Sequence, residues 1–214
     1  MMHLSFVPDG IFFDLDGTLW DSVAEISAAW QKRVALYPEL DIHFSEDDVR
    51  ACMGLSIDAI AHRLMPGLPK KEALLLMDEC LEEEYRYLRR AGGKIYPGVG
   101  DVLAALSCSF PLFIASNCQQ GYIENFLEFS GFGGFFRDSI CFGDTQQSKG
   151  QNILQLCRKH GLKQGIFLGD TETDRLAAEE AQIPFLWAAY GFGKVESYLY
   201  RIDSFPALLS LLDF

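Results

Sequence analysis

The chain predicts an α/β fold: a Rossmann-like parallel sheet with helices on both faces, plus a small all-helical cap inserted after the first strand. Three observations lead to it. Short apolar runs recur at 10–14, 111–115, 139–142, 165–168 and 184–188. Their apolarity is continuous rather than alternating, which marks strands buried on both faces. Helix-like segments at 98–107, 122–130, 151–160 and 174–182 lie between them, and strand–helix alternation builds a sheet covered on both sides. Finally, residues 20–93 break the alternation and read as helical throughout. The expected division is therefore a core domain of 1–19 with 94–214, and a helical cap domain of 20–93.

The insertion carries its own punctuation. Ser45-Glu46-Asp47-Asp48 has the form of a capping box opening a helix. Pro69 suits the first turn of a long helix through Leu74, Leu75, Met77, Leu81, Tyr85 and Leu88, and Gly92-Gly93 stops it. No internal repeat or low-complexity segment interrupts the chain.

Composition narrows the function. The 214 residues hold 18 Lys plus Arg against 30 Asp plus Glu, a formal net charge of −12, with 49% hydrophobic and 22% charged residues. That is a globular composition, not a disordered one. With no basic block to neutralise phosphates, nucleic acid and anionic membranes are excluded as partners. The stretch 1–10 has neither the basic nor the apolar segment of a signal peptide, and no apolar run approaches the ~20 residues that span a bilayer. A cytoplasmic protein is expected. Cys52, Cys80, Cys108, Cys118, Cys141 and Cys157 form no Cys-x-x-Cys pair, so reduced core thiols are expected rather than disulfides or zinc.

In parallel sheets, chemistry collects beyond the carboxyl ends of the strands. The first run ends in Asp14-Leu15-Asp16-Gly17-Thr18. A calcium loop of EF-hand type would need more oxygen ligands than this stretch offers. The second run ends in Ser116-Asn117, Lys149 follows the third, and the fourth ends in Gly169-Asp170-Thr171-Glu172-Thr173-Asp174. Singly, each has an ordinary reading as a turn, cap or surface charge. Together, four carboxylates (Asp14, Asp16, Asp170 and Asp174) would meet at one sheet edge, where their repulsion calls for a cation. An oxygen-rich, partly open site suits Mg²⁺ and a phosphoryl ligand.

This ordered set resembles the motifs of the haloacid dehalogenase superfamily, in its phosphatase branch, over essentially the whole chain. Tyr96-Pro97-Gly98-Val99 resembles the phosphoglycolate phosphatase and beta-phosphoglucomutase subgroup. Lys149 is followed by Gly150, where many members have Pro. The resemblance implies a Mg²⁺-dependent phosphatase acting on a small organic phosphate through an aspartyl-phosphate. It implies Asp14 as nucleophile, Asp16 as general acid and base, and Ser116, Asn117 and Lys149 as phosphate holders, with Thr18 in support at the substrate-binding loop. The metal set would be Asp14, the Asp16 backbone carbonyl, Asp170 and Asp174, the last directly or through water.

Two alternatives stay open, a beta-phosphoglucomutase-like phosphomutase and a catalytically silent binding protein. Members with mutase activity carry Lys-Gly-x-Ser-Arg in the cap, whereas this chain reads Met53-Gly54-Leu55-Ser56-Ile57. Asp16 argues against carbon–halogen cleavage, and the absence of a lysine at 52–57 argues against a phosphonatase. Trp20, Met53, Leu55, Ser56, His62 and Arg63 are candidates for setting substrate choice.

Overall fold

The computed structural model describes residue 4 and residues 6–212, so part of the stretch 1–10 lies outside the described residues. The chain runs through β1 (Gly10–Phe13), β2 (Trp20–Asp21), α1 (Val23–Val34), α2 (Glu46–Arg50), α3 (Ile57–Leu64) and α4 (Lys70–Ala91). Next come β3 (Lys94–Ile95), α5 (Val99–Ser107), β4 (Leu112–Ser116), α6 (Tyr122–Ser130), β5 (Phe136–Cys141), α7 (Phe142–Thr145) and α8 (Lys149–His160). It closes with β6 (Gly165–Gly169), α9 (Glu172–Ala181), β7 (Phe185–Ala188), β8 (Tyr200–Ile202) and α10 (Ala207–Leu211).

Six of these strands form one parallel sheet in the order β5-β4-β1-β6-β7-β8. Every residue of β1, β4 and β6 is buried, which is why their apolarity is unbroken. Alternate residues face opposite layers. Phe12, Phe113 and Phe167 join Ile153 and Ala178 on one face, while Phe13, Ile114 and Leu168 join Leu103, Phe205 and Leu208 on the other. The chain leaves β1 for β4 on one side and returns to β6 on the other. The carboxyl end of β1 is thus the point of reversal, where a ligand crevice opens in such sheets.

The insertion packs α1 against α4, with α2 and α3 alongside. Along α4 the buried residues Ala73, Leu76, Met77, Cys80, Glu84 and Leu88 recur at three- and four-residue spacing. The capping box at Ser45 and Asp48 is formed. Gly92, at φ +65°, ends α4, and a Cβ there would lie 2.1 Å from the Phe129 ring.

Two expectations need correction, and one strand was not expected. Residues 20–93 are not helical throughout, because Trp20–Asp21 pairs antiparallel with Lys94–Ile95 as the chain enters and leaves the insertion. The edge strand β8 escaped notice because it is only partly buried and carries exposed Arg201. β5 starts at Phe136, earlier than its apolar residues imply, and Phe142 opens α7. All six cysteines are free, with four buried, Cys118 half-buried and Cys108 exposed. Among the described residues, no helix is long and apolar enough to cross a membrane.

Candidate active site

Asp14 follows β1 directly, and its backbone N–H donates to the Leu168 carbonyl at 2.8 Å, extending the ladder by one residue. Its carboxylate is buried and accepts from the Lys149 ammonium at 2.6 Å. The same ammonium donates to Asp174 Oδ1 at 2.6 Å. Lys149 is the first residue of α8, capped by the Ser148 hydroxyl, so a strand end and a helix start aim opposite charges at each other. Burial pushes the Asp14 carboxyl up to about 7, with Asp174 adding to the rise and Lys149 opposing it. Burial would lower the Lys149 ammonium, but the charges of Asp14 and Asp174 outweigh it and hold the lysine above its ordinary value.

Asp170 follows β6 and is fully enclosed. Its Oδ2 accepts from the backbone N–H of Phe192 at 2.6 Å and of Gly193 at 3.3 Å. Its Oδ1 has no partner. Burial and the charges of Asp174 and Asp14 push this carboxyl well above its ordinary value. The surrounding backbone must come close: at Gly17, φ +82°, a Cβ would lie 2.2 Å from Asp170 Oδ2. Asp174 caps α9, its Oδ2 accepting from the Thr171 N–H at 3.0 Å.

Oxygens of Asp14, Asp170 and Asp174 all lie within 4.8 Å of one another. A buried carboxylate oxygen without a donor, set among two other carboxylates, is what a hard divalent cation satisfies. These residues fit a metal.

Asp16 keeps its side chain out of that cluster. Its Oδ1 accepts from Trp20 Nε1 at 2.9 Å, Ser22 Oγ at 2.5 Å and Tyr122 Oη at 2.7 Å. Burial raises its pKa against the pull of these three donors. Thr18, expected at the substrate, is fully enclosed and lies outside the cavity lining, with its carbonyl accepting from Tyr190 Oη at 2.8 Å.

A cavity of about 70 Å³ opens between the sheet edge and the insertion. Asp14, Asp16, Ser116, Asn117 and Lys149 line one end, and Ile26, Trp30, Leu55, Ile60 and Glu84 the other. Asn117 Nδ2 donates to the Gly54 carbonyl at 3.2 Å, tying the sheet edge to the insertion. Of the residues suggested for substrate choice, Met53 and Leu55 line the cavity. Ser56 caps α3, and His62 and Arg63 are exposed on that helix. Trp20 instead is buried and holds Asp16.

Sequence reasoning missed Ser22 and Tyr122, the other two donors to Asp16. It also missed the Phe192 and Gly193 amides and Glu84. The glycines at 191 and 193 were a usable signal of close backbone approach. No local pattern announces Tyr122.

Residues 11–188 match the family model described as haloacid dehalogenase-like hydrolase. A phosphoglycolate phosphatase from Vibrio cholerae serotype O1 is 32% identical over 205 residues, covering 87% of this chain and 86% of its own. One from Escherichia coli strain K12 is 26% identical over 214 residues, covering 88% and 84%. Among solved structures, a haloacid dehalogenase-like family hydrolase from Streptococcus pneumoniae superimposes with a TM-score of 0.79 at 25% identity, covering 95% of this chain and 97% of its own. A predicted phosphoglycolate phosphatase from Haemophilus somnus reaches 0.82 at 21% identity, covering 97% and 99%, a likeness of fold. The chain belongs to the haloacid dehalogenase-like hydrolase family. Within it the enzyme is of the phosphoglycolate phosphatase-like kind, a phosphoric monoester hydrolase.

Proposed function

We propose that the protein hydrolyses a small phosphomonoester in two steps, through an aspartyl-phosphate on Asp14, with Mg²⁺ as cofactor and residues 20–93 acting as a cap. The convergence of Asp14, Asp170, Asp174 and Lys149 beside a cavity that Asp16 also lines carries this reading. Asp14, Asp170, Asp174 and the Asp16 carbonyl would hold the cation. When bound, Mg²⁺ neutralises charge that would otherwise repel the phosphate dianion.

In the first step an Asp14 carboxylate oxygen attacks phosphorus and the ester P–O bond breaks. Asp16 gives its proton to the departing alkoxide, which leaves as the alcohol. With Oδ1 held by three donors, Oδ2 is the oxygen that carries this proton. In the second step water attacks phosphorus, Asp16 takes its proton and the bond to Asp14 breaks. Inorganic phosphate leaves and the carboxylate returns. Ser116, the Asn117 amide and Lys149 hold the phosphoryl oxygens as charge shifts onto them, and Thr18 supports the nucleophile loop from beneath.

The phosphoglycolate phosphatase relatives support a small, water-soluble ester in a cytoplasmic setting. Met53 and Ile57 line the cavity where mutase-like members carry basic residues, which favours transfer to water. The test is phosphate release from a panel of esters, with and without Mg²⁺, in wild type and Asp14→Asn. Mg²⁺-dependent release that falls by at least about 10⁴-fold in a folded Asp14→Asn protein is expected. Release that survives the substitution overturns the assignment.

A further inference from the structure

We propose that Glu84 determines substrate choice by donating a hydrogen bond from its carboxyl to a carboxylate on the ester's alcohol portion. This rests on the phosphatase reading above and names its substrate class, a small phosphate ester that carries a second anionic group.

Glu84 sits in the middle of α4, on the buried side of the helix, and is only 6% exposed. It lines the same cavity as Asp14, Asp16 and Lys149. Leu81, Glu84, Gln119 and Tyr122 also line a second cavity of about 570 Å³, so Glu84 stands where the two meet. Trp30 Nε1 donates to its Oε2 at 2.6 Å. Oε1 has no partner among the described residues, and it is not one of the sealed unpaired atoms, which belong to Thr18, Asn152 and Asp170. Its small exposure therefore opens on the cavity. A side chain with a packing role alone would be better apolar here, because one indole donor does not offset the desolvation of a carboxyl.

Trp30 takes up the acceptor side of the group, so Oε1 carries the proton and has an O–H to offer. Burial, helped by the charge of Asp16, pushes the carboxyl up to about 8, which keeps that proton in place at neutral pH. Among the apolar walls of Ile26, Leu55, Ile60 and Leu81, the best complement to this O–H is a charged acceptor. An O–H···O⁻ bond is roughly twice as strong as one between neutral groups. An incoming carboxylate strengthens the hold of Glu84 on its proton, and sharing that proton leaves one negative charge over two carboxyls. An alkyl or ammonium group in the same place leaves the O–H without an acceptor.

The titratable groups that face Glu84 are Asp16 beyond β1, Tyr122 on α6 and Cys80 one turn earlier on α4, while α1 presents Trp30 and α3 presents Ile60. Lys149 shares the cavity and stays charged. Burial keeps Tyr122 and Cys80 neutral beyond about pH 9. Proton transfer by Asp16 serves every ester, so it cancels in a ratio of two esters, and Glu84→Gln carries the same Asp16.

The test is the ratio of kcat/KM for 2-phosphoglycolate to that for ethyl phosphate, from about pH 7 to about pH 9.5, in wild type, Glu84→Leu and Glu84→Gln. At about pH 7 the wild type is expected to favour phosphoglycolate by at least about tenfold, and Glu84→Leu to bring the two esters within about threefold. Glu84→Gln keeps an acceptor for Trp30 and an N–H donor for the substrate, and its ratio is expected to stay within about fivefold of the wild type. By about pH 9.5 the wild-type ratio is expected to fall at least about tenfold as Glu84 ionises, while that of Glu84→Gln changes by less than about twofold.

No preference for phosphoglycolate in wild type overturns the proposal, as does a ratio that Glu84→Leu leaves in place. Should Glu84→Leu fail to fold, the pH comparison decides: a ratio that falls equally in wild type and Glu84→Gln overturns it. Release from 4-nitrophenyl phosphate separates the two readings. Its absence sinks the phosphatase reading and this proposal with it, whereas its presence with an unmoved ratio sinks the Glu84 assignment alone.

Discussion

At the sheet edge the cavity is walled by Asp14, Lys149 and, just behind them, Asp170 and Asp174, groups 5% exposed or less, with Lys149 bridging Asp14 and Asp174. Across from them the insertion offers Ile26, Trp30, Leu55 and Ile60, with Glu84 as its single carboxyl. The first wall is built from residues that follow strand ends, where sheet hydrogen bonds fix the backbone. The second is built from helix packing, with Trp30 and Glu84 brought together across 54 positions of sequence. The contrast separates two tasks. On the proposed function, one wall would concentrate charge on a phosphoryl group and the other would select what that group is attached to.

Three substitutions sharpen that contrast. The largest effect is expected for Asp16→Asn, which should slow hydrolysis of alkyl phosphates by about 10²–10⁴-fold. The first-turnover release of 4-nitrophenol from 4-nitrophenyl phosphate, whose leaving group needs little protonation, should suffer much less, while its steady state slows with the second step, where Asp16 is the base. Equal losses of the first-turnover rate on both esters, measured by rapid mixing, would remove Asp16 as the proton donor.

Lys149→Met comes next. It strands two buried carboxylates, so the chelated protein at about pH 8 should lose roughly 3–5 kcal/mol in urea unfolding. An unchanged midpoint would mean that Lys149 does not hold the charged wall together.

A smaller effect belongs to the helical wall. Glu84 titrates at about 8 in the fold, above its ordinary 4.5. Its contribution to stability is therefore full below about 4.5 and is lost as the pH rises through about 8. Asp16 faces it, with a carboxyl that burial also raises, so the comparison is with Glu84→Gln, which cannot ionise. Between about pH 6 and pH 9 the wild type should lose more stability than this variant, by on the order of a few kcal/mol. Identical slopes in urea unfolding would contradict the buried, protonated carboxyl.

The same contrast explains what could be read without coordinates. Asp14, Asp16, Ser116, Asn117, Lys149, Asp170 and Asp174 stand at or just beyond strand ends or in the first turn of a helix, so chain order alone groups them. The strands β1, β4 and β6 were legible because burial on both faces leaves no polar residue to blur them. β8 was not, because its residues alternate between half-buried, exposed and buried. Trp20 looked like a cavity wall, yet its indole nitrogen donates to Asp16 four residues earlier, across the tight turn that follows β1. Glu84 did leave a trace: it falls between Cys80 and Leu88 on the apolar side of α4, where a helix rarely places a carboxyl.

The central claim is that phosphorus passes through Asp14 on its way to water. The stereochemical course at a phosphorothioate ester made chiral with two oxygen isotopes and hydrolysed in water of the third tests it most directly, because each in-line displacement inverts the centre. Two displacements, first by Asp14 and then by water, predict net retention in the released thiophosphate. Net inversion would mean a single direct attack by water, and would contradict the account.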